Sequence, residues 1–84
     1  MILKAFAIHD QKSKAFHTPF FKHTHGEAER DFKTAVNDTT ANNNLAKYPE
    51  DFDLYHVGEY DDQTGIFTPL KTPQVVTKAI TLKQ

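Results

Sequence analysis

Apolar positions over residues 2–9 follow a two-residue period, with Ile2, Phe6 and Ile8 on one side and Leu3, Ala5 and Ala7 on the other. Both faces are apolar, so the pattern predicts a central strand. Asp10, Gln11, Lys12, Ser13 and Lys14 make a polar connector of hairpin length. A second strand is expected over residues 15–21, with Phe16, Thr18 and Phe20 facing one way and Ala15, His17 and Phe21 the other. Pro19 cannot donate to a ladder, which places this strand at an edge or gives it a bulge.

The period then changes. Thr24 and Glu27 have capping-box spacing, and Ala28, Phe32, Ala35 and Val36 recur at i, i+4, i+7 and i+8, which predicts a helix with one buried stripe. Glu27, Glu29 and Asp31 complement the positive end of its dipole. Residues 38–44 are rich in Asp, Thr and Asn, which compete with helix through local hydrogen bonds, so the helix is expected to end near Asp38 or fray beyond it. Pro49 pushes Tyr48 out of the helical region and marks a turn. A third strand is expected over residues 52–60, a hairpin loop over 61–65 closed by Gly65, and a short edge strand over 66–70 that contains Pro69.

Two hairpins flanking one helix predict an α+β domain of order ββαββ, a four-stranded antiparallel sheet with the helix on one face. Residues 1–72 form that domain. Residues 73–84 are β-branched but have no turn to fold them back, so they read as a disordered tail or a strand that pairs with a partner. The expected core is Ile2 or Leu3, Phe6, Ile8, Phe32, Ala35, Val36, Leu54 and Ile66.

The chain has 84 residues, enough for one domain, and no cysteine, so neither disulfides nor thiolate chemistry is available to it. A domain of this size buries only about 60% of the surface of its unfolded chain. A homodimer is the expected source of further support. The apolar start is broken by Lys4 and His9, is too short for a signal peptide, and no run approaches the about 18 apolar residues of a membrane span. A soluble, intracellular protein is expected.

Net charge is −1, but it is unevenly spread. Four lysines face one aspartate in residues 1–25, six carboxylates and no cation fall in residues 48–63, and three lysines follow residue 70. Candidate chemistry is sparse. His17, His23 and His25 offer imidazoles but define no third ligand, so no metal and no cofactor are expected. Asp61 and Asp62 belong to a turn, Ser13 is an isolated serine, and Gly26, Gly58 and Gly65 build no phosphate loop. No enzyme activity is expected.

Seven Phe and three Tyr are more rings than one helix can cover. Some must lie on the open sheet face or in an interface. Exposed rings beside cations are the elements of single-strand recognition, and the candidates are Phe16, Phe21 and Tyr55 as stacking platforms with Lys12, Lys14, Lys22, Arg30 and Lys33 as phosphate partners. The competing reading has the rings filling the core and a dimer interface.

The ordered series Pro19-Phe20-Phe21, Arg30-Asp31-Phe32, Val36-Asn37-Asp38, Pro49-Glu50-Asp51 and Gly58-Glu59-Tyr60-Asp61 resembles the small nonstructural protein of gokushovirus-type microviruses, phages with circular single-stranded DNA. The resemblance covers residues 1 to about 72. It implies a DNA-binding nonstructural protein of the host cytoplasm, active in genome replication or in the switch to single-stranded DNA synthesis and packaging. It brings no list of DNA-contacting residues. The alternative is a morphogenesis or host-directed interaction module, with phage capsid or replication proteins as partners.

Overall fold

The computed structural model describes residues 1–40 and 42–84; Ala41, within the polar run expected to end the helix, lies outside the described residues. The elements are β1 (Ile2–Asp10), β2 (Ala15–Phe16), β3 (Phe20–Lys22), α1 (His25–Val36), α2 (Asn44–Lys47), a 3-10 turn (Pro49–Asp51), β4 (Phe52–Asp61), β5 (Ile66–Lys78) and α3 (Ala79–Leu82). The class is α+β. The sheet is antiparallel throughout, with β2 and β3 both on one side of β1, then β4, then β5.

β1 is central, as its two apolar faces require. Its expected neighbour over residues 15–21 is two short pieces instead, because Pro19 has no N–H to give. His17 N–H still donates to the Ile8 carbonyl at 2.8 Å, after which pairing stops and resumes at Phe20 opposite Phe6. The order is therefore not a simple ββαββ. β4 carries a bulge: Gly58 pairs with Ala5 and His56 with Phe6, leaving Val57 without a counterpart on β1.

The larger departure is at the C-terminal end. The strand expected to stop at residue 70 runs to Lys78, with Pro69 opposite Gly58 and Gln74 opposite His56, so that residues 70–73 bow out at the bulge. As a sheet edge, β5 tolerates both Pro69 and Pro73. The segment read as a separate tail, 73–84, thus finds its strand partner in β4 of the same chain: Val75 pairs with Tyr55 and Lys78 with Asp53. α3 then places Ala79 in the core. This intrachain pairing removes the unpaired strand as a ground for a homodimer.

α1 begins as its sequence dictates, with Thr24 Oγ1 accepting from Glu27 N–H at 3.1 Å. The Glu27 carboxylate reaches one residue further back than a standard box and accepts from His23 N–H at 2.9 Å. At the other end, Asn37 Nδ2 donates to Leu82 O at 3.0 Å and Asn43 Nδ2 to Ala35 O at 2.6 Å, tying α3 and the start of α2 to the end of α1. Asparagine here terminates one helix and binds its neighbours.

The core between α1 and the sheet is Phe6, Ala28, Phe32, Val36, Phe52, Leu54 and Ala79, flanked by Ile8, Phe20, Leu45, Val76 and Leu82. Three expected members are outside it: Ala35, which is half-buried, Ile2 and Ile66. Ile2 is 55% and Ile66 62% exposed, because the β4–β5 hairpin extends past the helix and nothing covers its tip. Among the described residues, no helix is long and apolar enough to cross a membrane.

Candidate nucleic-acid interface

Cross-strand partners in an antiparallel pair project to the same face, so the register assigns every ring to a side. Phe6, Phe20, Leu54 and Phe52 face α1. On the opposite face lie Leu3, Ala5, Ala7 and His9 of β1, with Phe21 opposite Ala5, Phe16 opposite His9, Tyr55 opposite Ala7, Tyr60 opposite Leu3 and Phe67 opposite Tyr60. Among the described residues, no helix covers this side.

Its rings gather in two groups that straddle β1. In one, Phe16 meets Tyr55 edge-on at 5.3 Å between centroids, and His9 lies 4.6 Å from Phe16 and 5.9 Å from Tyr55. In the other, Phe21 lies 5.5 Å from Tyr60, with Phe67 at the next strand. These rings explain why Ala5 and Ala7 are fully buried without belonging to the helix-side core. Phe16, Phe21 and Phe67 stay open to solvent, at 47%, 42% and 43% exposed, while His9, Tyr55 and Tyr60 are half-buried. Gly58 forms part of the floor. A Cβ there would fall 2.5 Å from Phe67 Cζ, so Phe67 lies directly over the glycine.

The predicted cations are placed less coherently. Lys12 and Lys14 are exposed in the β1–β2 turn, next to Phe16, and Lys14 adopts φ +58° as it donates its N–H to Asp10 O at 2.8 Å. Lys12 also borders a cleft of about 510 Å³ with Asp10, Tyr48, Glu50 and Asp51. Lys22 is on the helix side, its Nζ 2.5 Å from Asp31, and this hydrogen bond holds the Asp31 carboxyl below its usual range. Arg30 and Lys33 are exposed on α1, away from the open face. Phe16 and Tyr55 therefore come together in one group, with Lys12 and Lys14 in the turn that leads into Phe16, and Phe21 shares their face in the other group, whereas Lys22, Arg30 and Lys33 lie elsewhere. Sequence reasoning missed Tyr60, Phe67 and His9. The available signal was Gly58, a glycine inside a strand, which marks a site where a ring from the neighbouring strand lies flat on the backbone.

Beneath the sheet is a polar cluster. His56 is buried; its Nε2 donates to Gly58 O at 3.0 Å, so its Nδ1 is the acceptor facing His25 Nε2 at 3.3 Å. Glu59 Oε1 is 3.6 Å from His56 Nε2 and 3.8 Å from Lys4 Nζ, and Oε2 is enclosed without a partner. Burial, and then the nearby His56 and Lys4, push the His25 pKa down. The three histidines weighed for metal are apart: His17 packs near Phe52, His23 sits by Glu27, and His25 meets His56. Among the described residues, no group of three or more His, Asp or Glu is arranged to hold a metal ion.

The model of the phage ORF5 protein family matches residues 3–82, which spans both ring groups and the whole of β5. The chain belongs to this family. Among its relatives is Protein ORF5 of Chlamydia phage 1, 34% identical over 68 residues, a match that covers 77% of this chain and 70% of the relative. This ORF5-family chain is thus a microvirus protein. No solved structure matches it.

Proposed function

We propose that this ORF5-family protein is nonstructural and binds single-stranded DNA, without strong sequence preference, on the open face of its sheet. In the host cytoplasm it would act in genome replication or in the switch to single-stranded synthesis and packaging. The observation that carries the reading is the exposed pair of ring groups on a helix-free sheet face. An unpaired base can stack on any such ring whatever its identity, for roughly 1 to 3 kcal/mol each. A duplex, whose bases are already stacked and paired, offers only its edges and phosphates.

The distribution of charge makes stacking the leading contribution. With Lys22 committed to Asp31 and Arg30 and Lys33 on α1, Lys12 and Lys14 of the β1–β2 turn are the two predicted cations left to neutralise phosphate. Two neutralised phosphates give a salt slope near −1.4 per protomer, since single strands contribute about −0.7 each. The test is a titration of labelled single-stranded and duplex DNA of equal length at several salt concentrations. Binding confined to the single strand with a shallow slope supports the reading; a steep slope with equal affinity for the duplex rejects it. A second reading, a morphogenesis or host-directed interaction module, rests on the −1 net charge and the same exposed apolar rings. It predicts no DNA binding at low salt and association with phage capsid proteins.

A further inference from the structure

The two ring groups are not one continuous patch, and their spacing bears on how a strand would lie. Both straddle β1: each takes one ring from the β2 or β3 side and one from β4, with β1 running beneath. A strand crossing the sheet from edge to edge would meet one group and miss the other. A strand laid lengthwise along β1 meets both. Along β1 the groups are marked by Ala5, opposite Phe21, and His9, opposite Phe16. Four residues of strand separate these positions, about 13 Å at roughly 3.3 Å per residue.

Neighbouring bases in a stacked strand advance by only about 3.4 Å. Two bases that remain stacked on each other therefore cannot occupy both groups. Ala5 and Ala7 of β1, which pair with Phe21 and Tyr55, are covered and offer no polar group with which to read a base.

Resting on the reading above, we infer that the open face holds a single strand lengthwise along β1 at two separate stacking subsites, Phe21–Tyr60–Phe67 and His9–Phe16–Tyr55, with at least one intervening nucleotide left unstacked. The ligand class is thus an unpaired, extended oligonucleotide of at least three residues. Mononucleotides and dinucleotides fill one subsite only.

The experiment uses the unaltered protein. Oligothymidylates of increasing length are titrated by tyrosine fluorescence until affinity stops rising, and the shortest saturating strand is then remade with one abasic residue at each position in turn. Loss of a base at two non-adjacent positions should weaken binding by roughly 5- to 150-fold each, with little change between them. Phe16→Ala should abolish the sensitivity at one of these positions and Phe21→Ala at the other. Sensitivity at adjacent positions, or an equal loss at every position, overturns the two-subsite arrangement while leaving single-strand binding intact. If no oligonucleotide binds at any length, both this inference and the function it rests on are wrong.

Discussion

Gly58→Ala is the smallest change that reports on the open face. Inside a strand, replacing Gly by Ala is ordinarily stabilising by about 0.4 to 1 kcal/mol, because it reduces the freedom of the unfolded chain. Here the added methyl would lie 2.5 Å and 2.9 Å from two atoms of the Phe67 ring and 3.0 Å from the backbone oxygen of Thr68. The ring must move, and the strand carrying Thr68 must shift slightly. Overpacking of this kind typically costs about 1 to 3 kcal/mol. Phe67 is half exposed and has room to lift away, so the net effect should fall at the lower end, near 1 kcal/mol of destabilisation. For a domain of this size that is a fall in Tm of about 4 to 8 °C. Thermal unfolding followed by circular dichroism measures it, and the double variant isolates the cause: in a Phe67→Ala background the ring clash is gone, so Gly58→Ala should cost much less. An unchanged or raised Tm for Gly58→Ala alone, or additive costs in the double variant, would refute the placement of Phe67 over Gly58.

Phe32→Ala, which empties the centre of the core beneath α1, should cost about 3 to 5 kcal/mol, comparable to the whole stability of a small domain, and chemical denaturation should find it largely unfolded. For His25 the sign follows from its lowered pKa: the unfolded chain binds the proton more readily, so stability is full above the ordinary value of 6.5 and declines as pH falls below it. His25→Gln should flatten that part of the stability profile, and a profile identical to that of the unaltered protein would show that the pair with His56 does not form. Asn43→Ala removes the cap on Leu45 N–H at 3.0 Å and the donation to Ala35 O, and an unfolding free energy lowered by about 1 kcal/mol is expected from chemical denaturation.

The parts of the fold that were legible in the sequence are those encoded locally. Thr24 and Glu27 announce the start of α1, Gly65 at φ +74° closes the β4–β5 turn, and the two apolar faces of residues 2–9 place β1 at the centre. What was not legible depends on partners distant in the chain. Pro69 marks an edge strand that reads as ending at residue 70, yet that strand continues through a bulge and past Pro73, and only the length of β4 reveals that Val75–Lys78 has something to pair with. Ile66 reads as core because it is apolar and alternates, but whether a helix reaches it is a matter of how far the hairpin extends. The site divides in the same way. Surplus rings imply an open aromatic face, whereas the allocation of Lys22 to Asp31 is set by how α1 crosses the sheet, which no local pattern specifies.

The central claim, that the open face binds single strands chiefly through its rings, is tested most directly by fluorescence anisotropy of a labelled single-stranded oligonucleotide across a salt series. The unaltered protein is compared with Phe16→Leu, Phe21→Leu and Lys12→Gln/Lys14→Gln variants confirmed as folded. The account predicts that each ring change weakens binding without altering the salt slope, while the lysine pair reduces the slope toward zero and leaves residual affinity. Absence of binding by the unaltered protein at low salt, or ring variants that bind as tightly as it does, would contradict the account.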